Sequence, residues 1–158
     1  MVRGAQKLVQ FKQDNDIADS VHFYIDMAAS YTGILTNQTT YEEMKQAGHA
    51  RLIQDDTLKK FILGHYTTLI PYVQEWCGVD KTHTMTQLIP EMSNYFPVVV
   101  DSMGWVPAQQ KIKSLKTPKL RHLLITNLTY KKEAAKSLKI VNANTKRLIA
   151  RINKALKK

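Results

Sequence analysis

"TPKLRHLLITNLTYKKEAAKSLKIVNANTKRLIARINKALKK", residues 117–158, is the stretch on which the fold turns. Thr117 followed by Pro118 is a helix start, because proline at the first helical position has its φ preset and lacks only an N–H that would be unsatisfied there. No proline or glycine follows. Leu120, Leu124, Leu128, Ala135, Leu138, Val141, Thr145, Leu148, Ile152 and Ala155 form one stripe, and from Leu138 onward its steps are three and four. The pattern predicts a single basic helix over 117–157, about 60 Å long at 1.5 Å per residue. A helix of that length needs a partner along its seam.

The first segment supplies the expected partner. Ile17, Val21, Tyr24, Ala28 and Tyr31 recur at steps of four and three, which predicts a stalk-like helix over 6–31. "TGILTNQTT" ends it. Residues 39–110 then read as short helices and an irregular connection. Thr39 with Glu42, and Thr40 with Glu43, have capping-box spacing, Gly48 suits a left-handed stop, and Asp55 or Asp56 caps the next helix. That helix runs to about Trp76, with a kink near Leu69 or a break there caused by Pro71. "CGVDKTH" reads as a loop, a helix interrupted by Pro90 follows from Thr84 to Tyr95, and "FPVVVDSMGWVP" is an irregular connection. Its Phe96, Val98, Val100, Trp105 and Val106 are lid and core residues. No repeat of fixed period stands out. The fold expected is one all-α domain over 1–158, with long N- and C-terminal helices paired antiparallel and shorter helices at one end.

A chain of 158 residues with 44% hydrophobic and 23% charged residues is globular and long enough to bury a core without metal or disulfide. Its one cysteine, Cys77, forms no internal disulfide. The stretch "YFPVVV" is far short of the roughly 18 apolar residues of a spanning helix. The N-terminus has no apolar core of signal-peptide length, so either the protein stays inside the cell or a leading segment lies outside this sequence. Charge is divided unevenly. Residues 111–158 hold fifteen bases against Glu133 alone, net +14, while residues 1–110 hold eight bases against twelve acids, net −4. The C-terminal third therefore meets something negative: nucleic acid, anionic lipid or the chain's own acidic first part.

Chemistry-bearing sets are sparse. The histidines at 22, 49, 65, 83 and 122 are scattered without zinc-site spacing. Cys77, Asp80 and His83 are one weak thiolate or metal grouping, outweighed by ordinary structural roles. The glycines stand singly, without a phosphate-loop pattern. "NQT" at 37 and "NLT" at 127 match a glycosylation acceptor, the second inside a predicted helix. No catalytic set, cofactor, metal or small-molecule substrate is expected, and the reading is non-enzymatic.

The basic helix is the one candidate binding feature. With Leu138, Thr145 and Ile152 at a positions, Lys132, Lys139 and Lys146 fall at b, Arg147 and Lys154 at c, Lys136 and Lys157 at f, and Arg151 and Lys158 at g. All nine point away from the seam. This is what a solvated outer face requires, and it is also a possible anion-contacting face. Packing ranks first, nonspecific nucleic acid second and a membrane surface third, because the face lacks aromatics for stacking bases and lacks tryptophan or phenylalanine for lipid.

Thr40 and Tyr41, Gly48, Leu52 and Ile53, Leu58 and Tyr66, with "LRHLLITNL" and "LIARINKAL" later, give the chain a resemblance to a bacterial family of small single-pass membrane proteins of unknown function. The resemblance spans about residues 20–156 and implies a soluble all-helical domain behind a membrane helix that this sequence does not contain. It implies a periplasmic position at a bacterial inner membrane; otherwise the chain is expected in the cytoplasm. It brings no catalytic residues. The function expected is a structural or protein-interaction domain, with a protein partner or a second copy as its ligand; the alternative is nonspecific nucleic-acid binding through the basic helix.

Overall fold

A computed structural model describes residues 1–34, 36–96 and 106–157. The described residues are helical, with no strand among them. The α-helices are α1 (Val2–Gln10), α2 (Val21–Ala29), α3 (Thr39–Gln46), α4 (Asp56–Gly64), α5 (Ile70–His83), α6 (Ile89–Ser93), α7 (Ala108–Leu115) and α8 (Pro118–Ala155). Two compact units can be distinguished: Met1–Gly33 with Trp76–Ala135, and Ile34–Glu75 with Lys136–Lys158. The long helix α8 begins at Pro118, as its sequence requires. Thr117 O accepts the first bond of the helix from Arg121 N (2.9 Å), and the Thr117 hydroxyl donates to Ser114 O (2.8 Å).

In the first unit the expected stalk is broken. Asp16 Oδ2 accepts from the backbone N–H groups of Lys12 and Gln13 (3.0 and 2.9 Å), and this local acceptor closes short 3₁₀ turns where a long helix was predicted. Helices α1 and α2 therefore pack on each other as a hairpin, and Gly4 makes that possible, because a Cβ there would overlap Met27 Cβ. Ile17, Val21 and Ala28 do reach the core, with Leu8, Ile25, Leu88, Met92, Ile112, Leu115, Leu120 and Leu124. α1 runs antiparallel to the first half of α8: Arg121 donates to Val9 O near one end (3.1 Å), and the Met1 amine feels the charge of Lys131 near the other. The long N-terminal helix is absent, but its antiparallel direction survives in α1.

The segment "CGVDKTH" lies inside α5 and is not a loop. Cys77 and Asp80 are on its buried face, while nothing stands within 4 Å of a Cβ at Gly78, so that glycine has no turn to make. Along this unit the chain from α5 to α6 runs antiparallel to α8, as three successive pairings record: Asp80 with Lys131, Thr84 with Asn127, Glu91 with Lys119.

In the second unit Gly48 takes φ +68°, closing α3 as expected, and Asp55 caps α4 by accepting from Thr57 N and Leu58 N. The capping boxes do not form. Asn37 Oδ1 takes Thr39 N instead (3.0 Å), leaving Glu42 3.6 Å from Lys45. Tyr41 stacks on Tyr66 with ring centroids 4.4 Å apart. α4 is antiparallel to the last part of α8, as His65 meets Asn144 and Phe61 meets Arg151.

Neither Pro71 nor Pro90 breaks its helix. A π turn precedes each, over His65–Leu69 and Thr84–Leu88. The reason is shared: proline lacks an N–H and its ring crowds the carbonyl four residues back, and one extra residue in the turn moves that carbonyl aside. The backbone N–H of Ile70 donates to His65 O, and that of Ile89 to Thr84 O. Thr67 and Thr86 then donate their hydroxyls to Leu63 O and Thr82 O (2.8 and 2.7 Å). The sequence underlying both is Thr-x-Leu-Ile-Pro, at 67–71 and 86–90, a short repeat that periodicity alone does not flag. Most of the connection "FPVVVDSMGWVP", with Val98, Val100 and Trp105, lies outside the described residues. Phe96 is buried in the core and Val106 packs against it.

Candidate functional site: a buried polar seam and a basic outer face

The seam of α8 is more polar than its leucines suggest. In the first unit Lys131, with 1% of its side chain exposed, bonds both oxygens of Asp80 (3.1 and 3.3 Å) and also Ser30 O. Burial outweighs the attraction of Asp80 and holds the Lys131 ammonium below its usual range. One turn along, Asn127 Nδ2 donates to Thr84 Oγ1 (3.0 Å), and Asn127 Oδ1 is buried with no partner among the described residues. His83 Nε2 is 3.1 Å from Leu123 O, and His83 Nδ1 is 3.2 Å from Gln87 Oε1. The Cys77 thiol is pushed up by burial and then by Asp80, which suppresses its nucleophilic form. These groups converge, but on each other.

Two further polar sets belong to the same unit. Glu91 is held low chiefly by its hydrogen bond with Lys119. Lys111, fully buried, places Nζ 2.6 Å from His22 Nδ1, and burial lowers both groups. In the second unit His65 Nδ1 lies 2.8 Å from Asn144 Oδ1. The first residue of each π turn thus bonds an asparagine of α8.

Sequence reasoning missed this seam because the stripe drawn through α8 left out its lysine, asparagine and serine. Lys131, Asn127 and Ser137 are all buried. The available signal was spacing: 120, 124, 127, 131 and 134 continue the three-and-four rhythm only if polar residues are admitted. Cys77, Asp80 and His83 do lie together, on one helix, but no group of three or more metal-ligating side chains occurs among the described residues. The acids and His49 of residues 42–56 do not converge.

Lys132, Lys136, Lys139, Lys146, Arg147, Arg151, Lys154 and Lys157 are all exposed. The charge division resolves into two parts. Up to residue 131 three of the six C-terminal bases meet the chain's own acids: Lys116 with Asp14, Lys119 with Glu91, Lys131 with Asp80. From Lys136 to Lys157 there are seven bases and no acid, and Lys139, Lys146, Arg147, Lys154 and Lys157 make no ion pair among the described residues. Arg151 instead lies over the Phe61 ring, 4.9 Å from its centroid.

No described helix is long and apolar enough to cross a membrane. No protein-family model, curated protein or solved structure matches this chain.

Proposed function

We propose that the chain is a non-enzymatic helical interaction module that docks an acidic protein partner through the outer face of α8. The observation that carries this is the run of seven exposed bases without an acid from Lys136 to Lys157, while Lys116, Lys119 and Lys131 upstream meet internal acids. A surface charge of one sign steers an oppositely charged partner and sets specificity more than affinity. Several buried titratable groups support a structural reading, since Lys131 is held by Asp80, Lys111 lies against His22 and His65 bonds Asn144.

Polyglutamate binding at about 50 and 200 mM salt tests the reading, and a mixed-sequence duplex beside it tests nonspecific nucleic-acid binding. Salt-sensitive polyglutamate binding at micromolar protein, lost in Lys139→Glu/Lys146→Glu/Arg147→Glu, is the expected result. Absence of polyanion binding refutes it. Duplex binding of equal strength would favour the nucleic-acid reading.

The signature residues Tyr41 and Tyr66, stacked in the second unit, support a narrower reading as the soluble domain of a membrane-anchored protein facing the periplasm. An apolar run of about 20 residues encoded upstream of Met1 is the finding expected there.

A further inference from the structure

We propose that the end of the second unit built from the 3₁₀ turn His49–Leu52 and the last turn of α8 is a docking tip for an anionic lipid bilayer. Leu52 and Leu156 are the most exposed large apolar residues among those described, 70% and 80% accessible. They line one open groove together with the apolar Ile53, Leu58 and Ala155 and the cationic Arg151 and Lys154. Isolated exposed leucines need no explanation, but two at the same groove with cations beside them form a pattern.

The shape selects the occupant. Leu52 ends the 3₁₀ turn and Leu156 follows the last residue of α8, both largely exposed, which suits entry into a fluid apolar phase better than burial in a rigid protein pocket. Arginine and lysine lay their aliphatic stems along such a surface while their charges stay at headgroup level. Arg151 is already held over Phe61. Two acids are nearby, and neither reverses the sign: Asp55 caps α4 with its carboxylate, and Asp56 sits in that helix's first turn. Against them stand Arg51, Arg151, Lys154 and Lys157, so the net charge is positive and complements an anionic surface. A nucleic-acid duplex offers no apolar phase to receive the leucines. This inference goes beyond the acidic-partner reading: it shares Arg151, Lys154 and Lys157 with that basic face and adds the exposed leucines to it.

Cosedimentation of the full chain tests it, with vesicles of phosphatidylcholine alone and with about 30% phosphatidylglycerol. Binding to the anionic vesicles at least tenfold over neutral ones is expected. Leu52→Ser/Leu156→Ser should lose about tenfold or more on those vesicles while retaining its polyglutamate binding and its melting profile, since both side chains are exposed. Lys154→Glu/Lys157→Glu should abolish the preference for phosphatidylglycerol. No vesicle binding overturns the proposal. So does vesicle binding that the leucine pair leaves unchanged, because the basic face alone would then account for it. Polyglutamate binding without vesicle binding sinks the tip and leaves the interaction module standing; loss of both sinks the two together.

Discussion

Replacing Asp80 with alanine isolates the energetics of the polar seam. Both partners are almost wholly buried, at 1% and 2% side-chain exposure, so the change leaves Lys131 with only Ser30 O as a polar neighbour among those described. Stranding one member of a buried pair costs about 3–5 kcal/mol, which lowers Tm on the order of 10 °C for a domain of this size. The pH dependence has a defined sign. Lys131 already titrates below 10.5 in the folded chain because of burial. An unfolded chain then binds the extra proton in the interval beneath 10.5, so stability rises with pH across it. Removing Asp80 widens that interval downward, and the variant should regain stability between about pH 7 and 9.5 more steeply than the parent. The double variant Asp80→Leu/Lys131→Met removes both charges and should fall between neutral and about 4 kcal/mol more stable than the parent. Urea denaturation followed by circular dichroism at the two pH values measures all of this. A loss below about 1 kcal/mol in Asp80→Ala, the range of exposed ion pairs, would refute the claim that the pair is sequestered from water.

Gly4→Val places a side chain where Met27 already sits and should destabilise by about 1–3 kcal/mol through forced separation of α1 and α2, visible as a lower urea midpoint. Asp55→Ala removes the acceptor for two backbone N–H groups at the start of α4 and should cost about 1 kcal/mol by the same measurement. His22 titrates below 6.5, first because of burial and then because of Lys111; the unfolded chain takes its proton first, so stability should fall as pH drops beneath 6.5. His22→Leu should flatten that part of the profile, and an unchanged slope would remove His22 from the account.

How much of this could be read from the residues depends on what each part of the sequence competes with. The 38-residue α8 was legible because nothing in it opposes a helix and its start is marked by Pro118. Gly48 and Asp55 were legible because left-handed stops and N-caps are local. The break at residues 11–20 was hidden because Ile17 and Val21 keep a helical rhythm while Asp16 quietly satisfies two backbone donors. Helix α5 was hidden for the opposite reason: Cys77, Gly78 and Asp80 have the composition of a loop, and only tertiary burial of Cys77 and Asp80 overrides it. The buried part of the candidate site was the least legible. A lysine within a leucine stripe is ordinarily placed in water, and the asparagine and aspartate facing the seam gain their meaning only from partners 43 and 51 residues away. The outward basic residues were legible because period alone separates them from the seam.

A leucine seam by itself is forgiving, since one helix can slide past another by a turn and exchange one aliphatic neighbour for the next. The seam between α5–α6 and α8 does not permit that. Sliding by one turn would pull Asp80 from Lys131, Thr84 from Asn127 and Glu91 from Lys119 in a single movement. Like the wards of a lock, the polar side chains make every misaligned position expensive while adding little to the aligned one. The alignment of these helices is thereby set by their few hydrophilic contacts, and the greasy ones are left to supply the adhesion.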